Sequence, residues 1–260
     1  MPIAVREDML SGDSLLEKFT HARALGVAGV EFQNVGLTER VPEIIEAIDQ
    51  TGVRTAAVNF GHGRFVDADP AERELALAGL RQAIVDAHDI GAVGVVFVPH
   101  VGAPVLPDLS PWMSAPELEV EMLYMHLRTL SDYSYAIGVN LYLEAINRSE
   151  THLLNRISQV ARITRRLNHP NVKIAAHLYH MALEESNLPA ALREHTDCIG
   201  YIHLADSDFR LPGEGTTDFA AAASALHEMS YAGWLSYDCE GGSPERLPAS
   251  LAYLQEIGLS

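Results

Sequence analysis

The sequence predicts one (β/α)8 barrel, a TIM barrel occupying residues 1–260 as a single domain, on three observations. The chain is 260 residues long, the usual size of one such barrel. Short β-branched runs alternate with longer amphipathic stretches about eight times, which implies parallel strands joined by crossover helices. The turn after the first run, Arg6-Glu7-Asp8-Met9-Leu10-Ser11-Gly12, lacks the GxGxxG of an open dinucleotide-binding sheet.

The expected strands are residues 3–6, 29–33, 54–59, 93–99, 140–145, 172–177, 201–205 and 234–240, each a short apolar or β-branched run. The helical patterns between them cover 15–25, 41–50, 70–90, 116–137, 151–167, 188–195, 219–229 and 246–257. Asp69-Pro70-Ala71-Glu72 places a capping Asp before a Pro at the first helical position, and Ser114-Ala115-Pro116-Glu117 follows the same logic. Gly26, Gly52, Gly91 and Gly138 stand where helices end before the next strand. Residues 100–115 form the one long irregular stretch, rich in Pro, and such loops inside compact domains are usually lids or binding loops.

Composition narrows the function classes. The chain is 48% hydrophobic with a mean hydropathy of +0.04, and no apolar run reaches the roughly 18 residues of a membrane span. Its start has no basic segment followed by an apolar one, so the expected compartment is the cytoplasm. Cys198 and Cys239 make neither a disulfide framework nor a CxxC metal site, and read as neutral thiols in a reducing compartment. A formal charge of −17 repels phosphate backbones, so no nucleic-acid partner is expected.

Barrel enzymes carry their chemistry at the C-terminal ends of the strands. There the sequence offers Glu144, His177, His203, Asp238 and Glu240, and strand alternation puts Asp238 and Glu240 on one face. A lone His at a strand end is more often a hydrogen-bonded structural residue, but four consecutive strands each carrying a carboxylate or imidazole at one rim form a ligand set. Carboxylates with imidazoles suit a divalent ion such as Mn²⁺, Co²⁺, Fe²⁺ or Zn²⁺. Glu31 reads equally as a substrate contact or a buried structural carboxylate.

The run Glu144-Ala-Ile-Asn147-Arg148-Ser-Glu150-Thr-His152-Leu-Leu-Asn155 resembles the E-P-L-N-R-x-E-T-H-L-x-N segment of the ketose 3-epimerases, the tagatose/psicose epimerase group of the xylose isomerase-like superfamily. His177-Leu-Tyr-His180-Met-x-x-Glu184-Glu185 is similar to their D-x-x-H-M-x-x-E-E. His203-Leu-Ala-Asp206-Ser-Asp208, Pro212-Gly213-Glu-Gly215 and Tyr231-Ala-Gly233-Trp234 match further motifs. The likeness is dense from about residue 140 to 242 and faint before that, where Gly29-Val-Glu31-Phe carries it.

The resemblance implies a metal held by Glu144, His177, His203 and Asp238, with Mn²⁺ first in line and Mg²⁺ also admitted. The ion would polarise a carbonyl and favour an enediolate. Glu144 and Asp238 are cast as the carboxylates that remove and return the proton. Glu150, Arg148 and His180 would contact substrate hydroxyls or the catalytic carboxylate; a helix-start charge pair and a structural loop histidine are the plainer readings. His62, His100, Trp112, Arg210 and Glu240 complete the expected substrate contacts. Two ligands depart from the pattern: His177 stands where those enzymes have Asp, and Asp238 where they have Glu, so that Glu240, two residues on along the same face, is an alternative fourth ligand. Phe209 stands in the register of their Arg, with Arg210 following. The implied activity is a metal-dependent isomerase or epimerase of a small keto-sugar or hydroxy-keto acid, working as a homo-oligomer. The altered ligands keep open a lyase on the same barrel, a dehydratase or C-glycoside-cleaving enzyme. A non-catalytic polyol-binding barrel and the superfamily's endonucleases are weaker alternatives, the endonucleases being disfavoured by the negative charge.

Overall fold

The structure is a computed structural model, and it describes residues 1–240 and 244–259. The last two residues of the segment resembling the epimerases therefore lie outside the described residues. Eight strands, β1 Ile3–Arg6, β2 Gly29–Gln33, β3 Arg54–His62, β4 Gly94–Val98, β5 Asn140–Glu144, β6 Val172–His177, β7 Ile199–Leu204 and β8 Leu235–Tyr237, pair in parallel in chain order, and β8 closes onto β1. The described helices are α1 Leu15–Ala24, α2 Val41–Thr51, α3 Pro70–Asp89, α4 Ala115–Ile137, α5 Ile157–Leu167, α6 Leu178–Glu184, α7 Leu188–Glu194, α8 Phe219–Glu228 and α9 Leu247–Glu256. No described helix is long and apolar enough to cross a membrane.

Local chemistry sets the helix ends. Ser14 accepts from the Glu17 N–H at 3.3 Å while Glu17 accepts from the Ser14 N–H at 3.1 Å, a reciprocal cap that starts α1. Asp69 accepts from the Ala71 N–H at 2.8 Å ahead of Pro70. Gly52 and Gly138 end α2 and α4 at φ 73° and 84°, a left-handed conformation that side-chain-bearing residues resist.

Two layers of core follow from the period-2 alternation of the strands. Outward-facing residues such as Val30, Phe32, Leu141 and Ile202 pack under the helices against Phe19, Ile44, Leu80 and Val160. Inward-facing Ala4, Val96, Tyr142, Ala175, Tyr201 and Trp234 fill the barrel itself. Tyr142 and Tyr201 stack with ring centroids 5.2 Å apart, directly beneath the strand ends. Their bulk is accommodated by glycines: a Cβ on Gly94 would meet the Tyr142 ring at 2.4 Å, and one on Gly29 would meet Trp234 at 2.7 Å. The lower barrel is therefore solid, and polar groups collect at the upper rim.

The structure differs from the sequence expectations at several places: β3 runs on to His62, β7 starts at Ile199, and three further departures bear on the site. Helix α5 begins at Ile157 and not at 151. Side chains capture the backbone there: Gln159 accepts from the N–H groups of Asn155 and Arg156, and Asn155 donates to the carbonyls of Ile146 and Thr151. The segment after His177 forms a separate short helix, α6, which the sequence reading leaves unassigned. Strand β8 is three residues long, although the Asp238 N–H still donates to the Leu204 carbonyl and carries the ladder one step further.

Candidate active site and metal centre

Strands β5 to β8 bring four predicted residues together. Glu144 ends β5 opposite Ala175, and His177 ends β6 opposite His203 of β7. Ligating atoms of Glu144, His177 and His203 lie within 4.8 Å of one another, and all three residues are buried. His203 Nδ1 is 2.6 Å from Glu144 Oε1. Asp238 joins from the end of β8, its Oδ2 lying 3.6 Å from both His177 Nε2 and His203 Nδ1. Glu240 stays outside: it is exposed, and its backbone N–H bonds the Phe209 carbonyl.

The donor chemistry fits a divalent cation. Both ring nitrogens of buried His177 lack a hydrogen-bond partner among the described residues. Such a group is costly unless something else satisfies it. Burial opposes a charged His203, but the carboxylates of Glu31, Glu144 and Asp238 outweigh it and raise its pKa well above the ordinary value. The centre thus draws positive charge inward, whether a proton or a metal ion. Oxygen and imidazole nitrogen donors match the borderline first-row ions.

Asp238 is held from the other side of the barrel closure. Arg6, the last residue of β1, donates from Nη1 to Asp238 Oδ1 at 2.6 Å and clamps Asp8 through Nε and Nη2 at 3.0 and 2.8 Å. Burial pushes the Asp238 carboxyl up, but the imidazoles of His203 and His177 and the Arg6 guanidinium more than reverse this and keep it ionised. The pairing directs one oxygen at Arg6 and the other at the two imidazoles.

A polar network backs the rim. His180 Nδ1 accepts from the Asn147 N–H at 3.3 Å, so the ring proton sits on Nε2. Asn147 Nδ2 donates to Glu150 Oε1 at 2.6 Å, and Glu150 lies 3.9 Å from His180. Arg148 is occupied differently: its side chain donates to both oxygens of buried Glu184 at 2.7–3.0 Å, tying the loop after β5 to α6. Phe209 and Tyr179 form an aromatic wall, with centroids 4.2 Å apart, and Phe209 stands 5.4 Å from both His177 and His180.

That wall rests on a strained turn. Asp208 and Phe209 have φ of 57° and 56°, a conformation that costs non-glycine residues of order 1 kcal/mol or more each. Buried Asp206 stabilises the loop by accepting from the N–H groups of Ser207, Gly213, Gly215 and Thr217. Arg210 is exposed, its Nη2 3.5 Å from Asp208 Oδ2.

The remaining predicted residues lie around the mouth. Exposed His62 and buried His100 line a cavity of about 430 Å³ with Arg64 and Asp67, and His100 Nε2 bonds the Ala103 carbonyl at 3.1 Å. Trp112 is 88% exposed and borders a separate cavity of about 550 Å³ between α4 and α5. The loop carrying Trp112 is anchored by buried Glu119, which accepts from the N–H groups of Val105 and Leu106 and contacts His152. Sequence reasoning passes over Arg6, although it ends a strand just as Glu144 does. It also passes over Asn147 and Tyr179, which carry no signal beyond their place in the resembling motifs.

Comparison with known proteins places the chain in a family. The sequence profile described as xylose isomerase-like TIM barrel matches residues 19–257. The chain is 30% identical over 243 residues to 3-dehydro-D-guloside 4-epimerase of Escherichia coli (strain K12), covering 92% of each protein. It is 26% identical over 240 residues to an L-ribulose 3-epimerase of Mesorhizobium japonicum, covering 88% of this chain and 76% of that one. The crystal structure of apo 3-keto-D-glucoside 4-epimerase from E. coli superposes with a TM-score of 0.89 at 27% identity, covering 98% of this chain and 99% of that one.

Proposed function

We propose that this chain, which belongs to the xylose isomerase-like TIM barrel family, is a divalent-metal-dependent epimerase of a keto-sugar. The substrate class we infer is a glycoside oxidised to the ketone at C3 and epimerised at C4. The E. coli relatives named for 3-keto-glycosides support this, because the chain matches them over nearly its whole length. The observation that carries the reading is the arrangement of carboxylates. Glu144 and Asp238 come from the ends of the strands on either side of the two histidine strands, around the His177 imidazole, whose nitrogens lack a hydrogen-bond partner among the described residues.

A C–H beside a ketone is acidic enough for a carboxylate to remove, giving an enediolate of the sugar, and return of the proton to the opposite face inverts the carbon. Glu144 and Asp238 are the two bases in this scheme. Glu144, His177, His203 and Asp238 would hold the ion, Mn²⁺ being the expected one. When bound, it supplies Lewis acidity to the ketone and the adjacent hydroxyl. His180 presents an Nε2–H, set by the Asn147 bond at Nδ1, as a donor to a substrate hydroxyl. Phe209 and Tyr179 provide an apolar face for the C–H side of a pyranose. Glu150, Arg148, Arg210, Glu240, His62, His100 and Trp112 remain rim candidates for the rest of the glycoside. A cytoplasmic homo-oligomer is part of the same reading.

The test is deuterium uptake from D₂O followed by NMR, using Mn²⁺-loaded protein, an EDTA-treated control and a panel of 3-keto-glycosides and free ketoses. The expected result is metal-dependent label at C4 of a 3-keto-glycoside together with its C4 epimer. No exchange with any keto-sugar overturns the assignment. Label accompanied by loss of water or aglycone establishes the lyase instead.

A further inference from the structure

We infer that Glu31 is a positioning residue for the metal centre, holding His203 so that its Nδ1 lone pair is presented to a divalent cation. The inference rests on the metal-dependent reading above and deepens it. Glu31 lies on β2, which is not a neighbour of β7 in the barrel, so its carboxylate reaches His203 across the interior. Its two oxygens stand 3.2 and 3.1 Å from His203 Nε2, and both residues are fully buried.

The contact defines the ring. Two carboxylate oxygens facing one nitrogen require that nitrogen to carry the proton, since a lone pair there would be repelled. Nδ1 then faces Glu144 Oε1 at 2.6 Å and Asp238 Oδ2 at 3.6 Å. Acceptor atoms on that side need a positive centre among them, which a proton on Nδ1 supplies in the metal-free protein and a divalent cation would supply in its place. A carboxylate on the far nitrogen of a ligating histidine fixes the ring orientation and makes the near nitrogen a stronger donor.

Glu31 is itself immobilised. Tyr201 Oη donates to its Oε2 at 2.6 Å, and Asn59 Nδ2 donates to its Oε1 at 3.3 Å. No Lys or Arg pairs with it in the described contacts; its ionic partner there is His203. A fully buried carboxylate served only by neutral donors and one imidazole is expensive unless charge reaches it through that imidazole. Metal ligation of His203 provides that compensation, so carboxylate, imidazole and ion are balanced as one unit.

The experiment titrates metal-free wild type and Glu31→Gln with Co²⁺ and Mn²⁺ by calorimetry, recording the Co²⁺ visible absorption. Circular dichroism and thermal melting of the apo proteins report folding. Glu31→Gln keeps the volume and an acceptor but removes the charge. Its affinity for both ions should fall about 10- to 100-fold, with a changed Co²⁺ spectrum. An unchanged affinity and spectrum overturn the inference while leaving the metal-dependent reading standing. If the wild type binds neither ion, both fail. Should Glu31→Gln not fold, Tyr201→Phe decides: it keeps the carboxylate but removes the 2.6 Å hydroxyl that fixes it. A weaker Co²⁺ affinity supports the inference, and an unchanged one overturns it.

Discussion

Replacing Asp238 by the longer Glu, the residue ketose 3-epimerases carry at this position, should impair this enzyme. The substitution extends the carboxylate by one carbon–carbon bond, about 1.5 Å. Asp238 already bonds Arg6 at 2.6 Å through one oxygen, and Arg6 is fixed by its bidentate grip on Asp8. Its other oxygen stands 3.6 Å from each of the two imidazoles. Extension straight toward them would shrink those separations to about 2 Å, shorter than any hydrogen bond, so the carboxylate must swing aside and leave Arg6. Misplacing a catalytic group by about 1 Å costs roughly 100-fold in rate, equivalent to about 2.7 kcal/mol of barrier. The assay is kcat and KM for epimerisation by NMR at saturating Mn²⁺. Asp238→Glu should lower kcat about 100-fold with a small change in KM, and adding Arg6→Ala should restore part of the loss by vacating the space. Wild-type kcat in Asp238→Glu would refute the argument that Arg6 fixes the carboxylate's reach.

Three further outcomes are expected. Burial first, and the adjacent His177 imidazole second, push the pKa of His180 down to about 2. Its folded value lies below that of the free side chain, so it stays neutral and costs stability only as the pH drops below about 6.5, where the unfolded chain binds the proton. Its imidazole resonances should be flat from pH 8 to 5, and a midpoint near 6.5 would contradict this. The Glu184 carboxyl is held low, chiefly by its hydrogen bonds from Arg148. The stability this pair adds is present above the unfolded carboxylate value near 4.3 and disappears as the pH falls through the lower folded value. Arg148→Ala should therefore flatten the acid limb of a Tm-against-pH curve, which an unaltered limb would disprove. Gly94→Ala drives a methyl into the Tyr142 ring and the Asn140 carbonyl at 2.4 and 2.7 Å. It should destabilise the protein by about 1–3 kcal/mol in urea unfolding, and a neutral result would show that the inner layer has slack.

Much of the fold was readable because strand and helix leave different periods in a chain. The strands over 3–6, 29–33 and 172–177 have the same bounds in the structure. That Glu144, His177, His203 and Asp238 meet at one rim was readable because side chains at the C-terminal ends of neighbouring parallel strands face the same mouth. Arg148 shows the limit. Its position in a motif suggested a substrate contact, and nothing local in the sequence told that α6 would set the Glu184 carboxylate against its guanidinium. The start of α5 was misread because helical periodicity does not register the side chains of Asn155 and Gln159 competing for the backbone.

By itself the sequence determined the strand and helix alternation and the kind of donor at each strand end, since these depend on residues one to four positions apart, and eight such units in one chain pointed to a closed sheet. Only the tertiary structure decided which groups meet across the barrel. Glu31 of β2 reaching His203 of β7, and Arg6 of β1 gripping Asp238 beyond β8, join residues 172 and 232 positions apart. Alternation says that a side chain faces inward. Closure of the ring, and the stagger of its strands, sets what that side chain finds there.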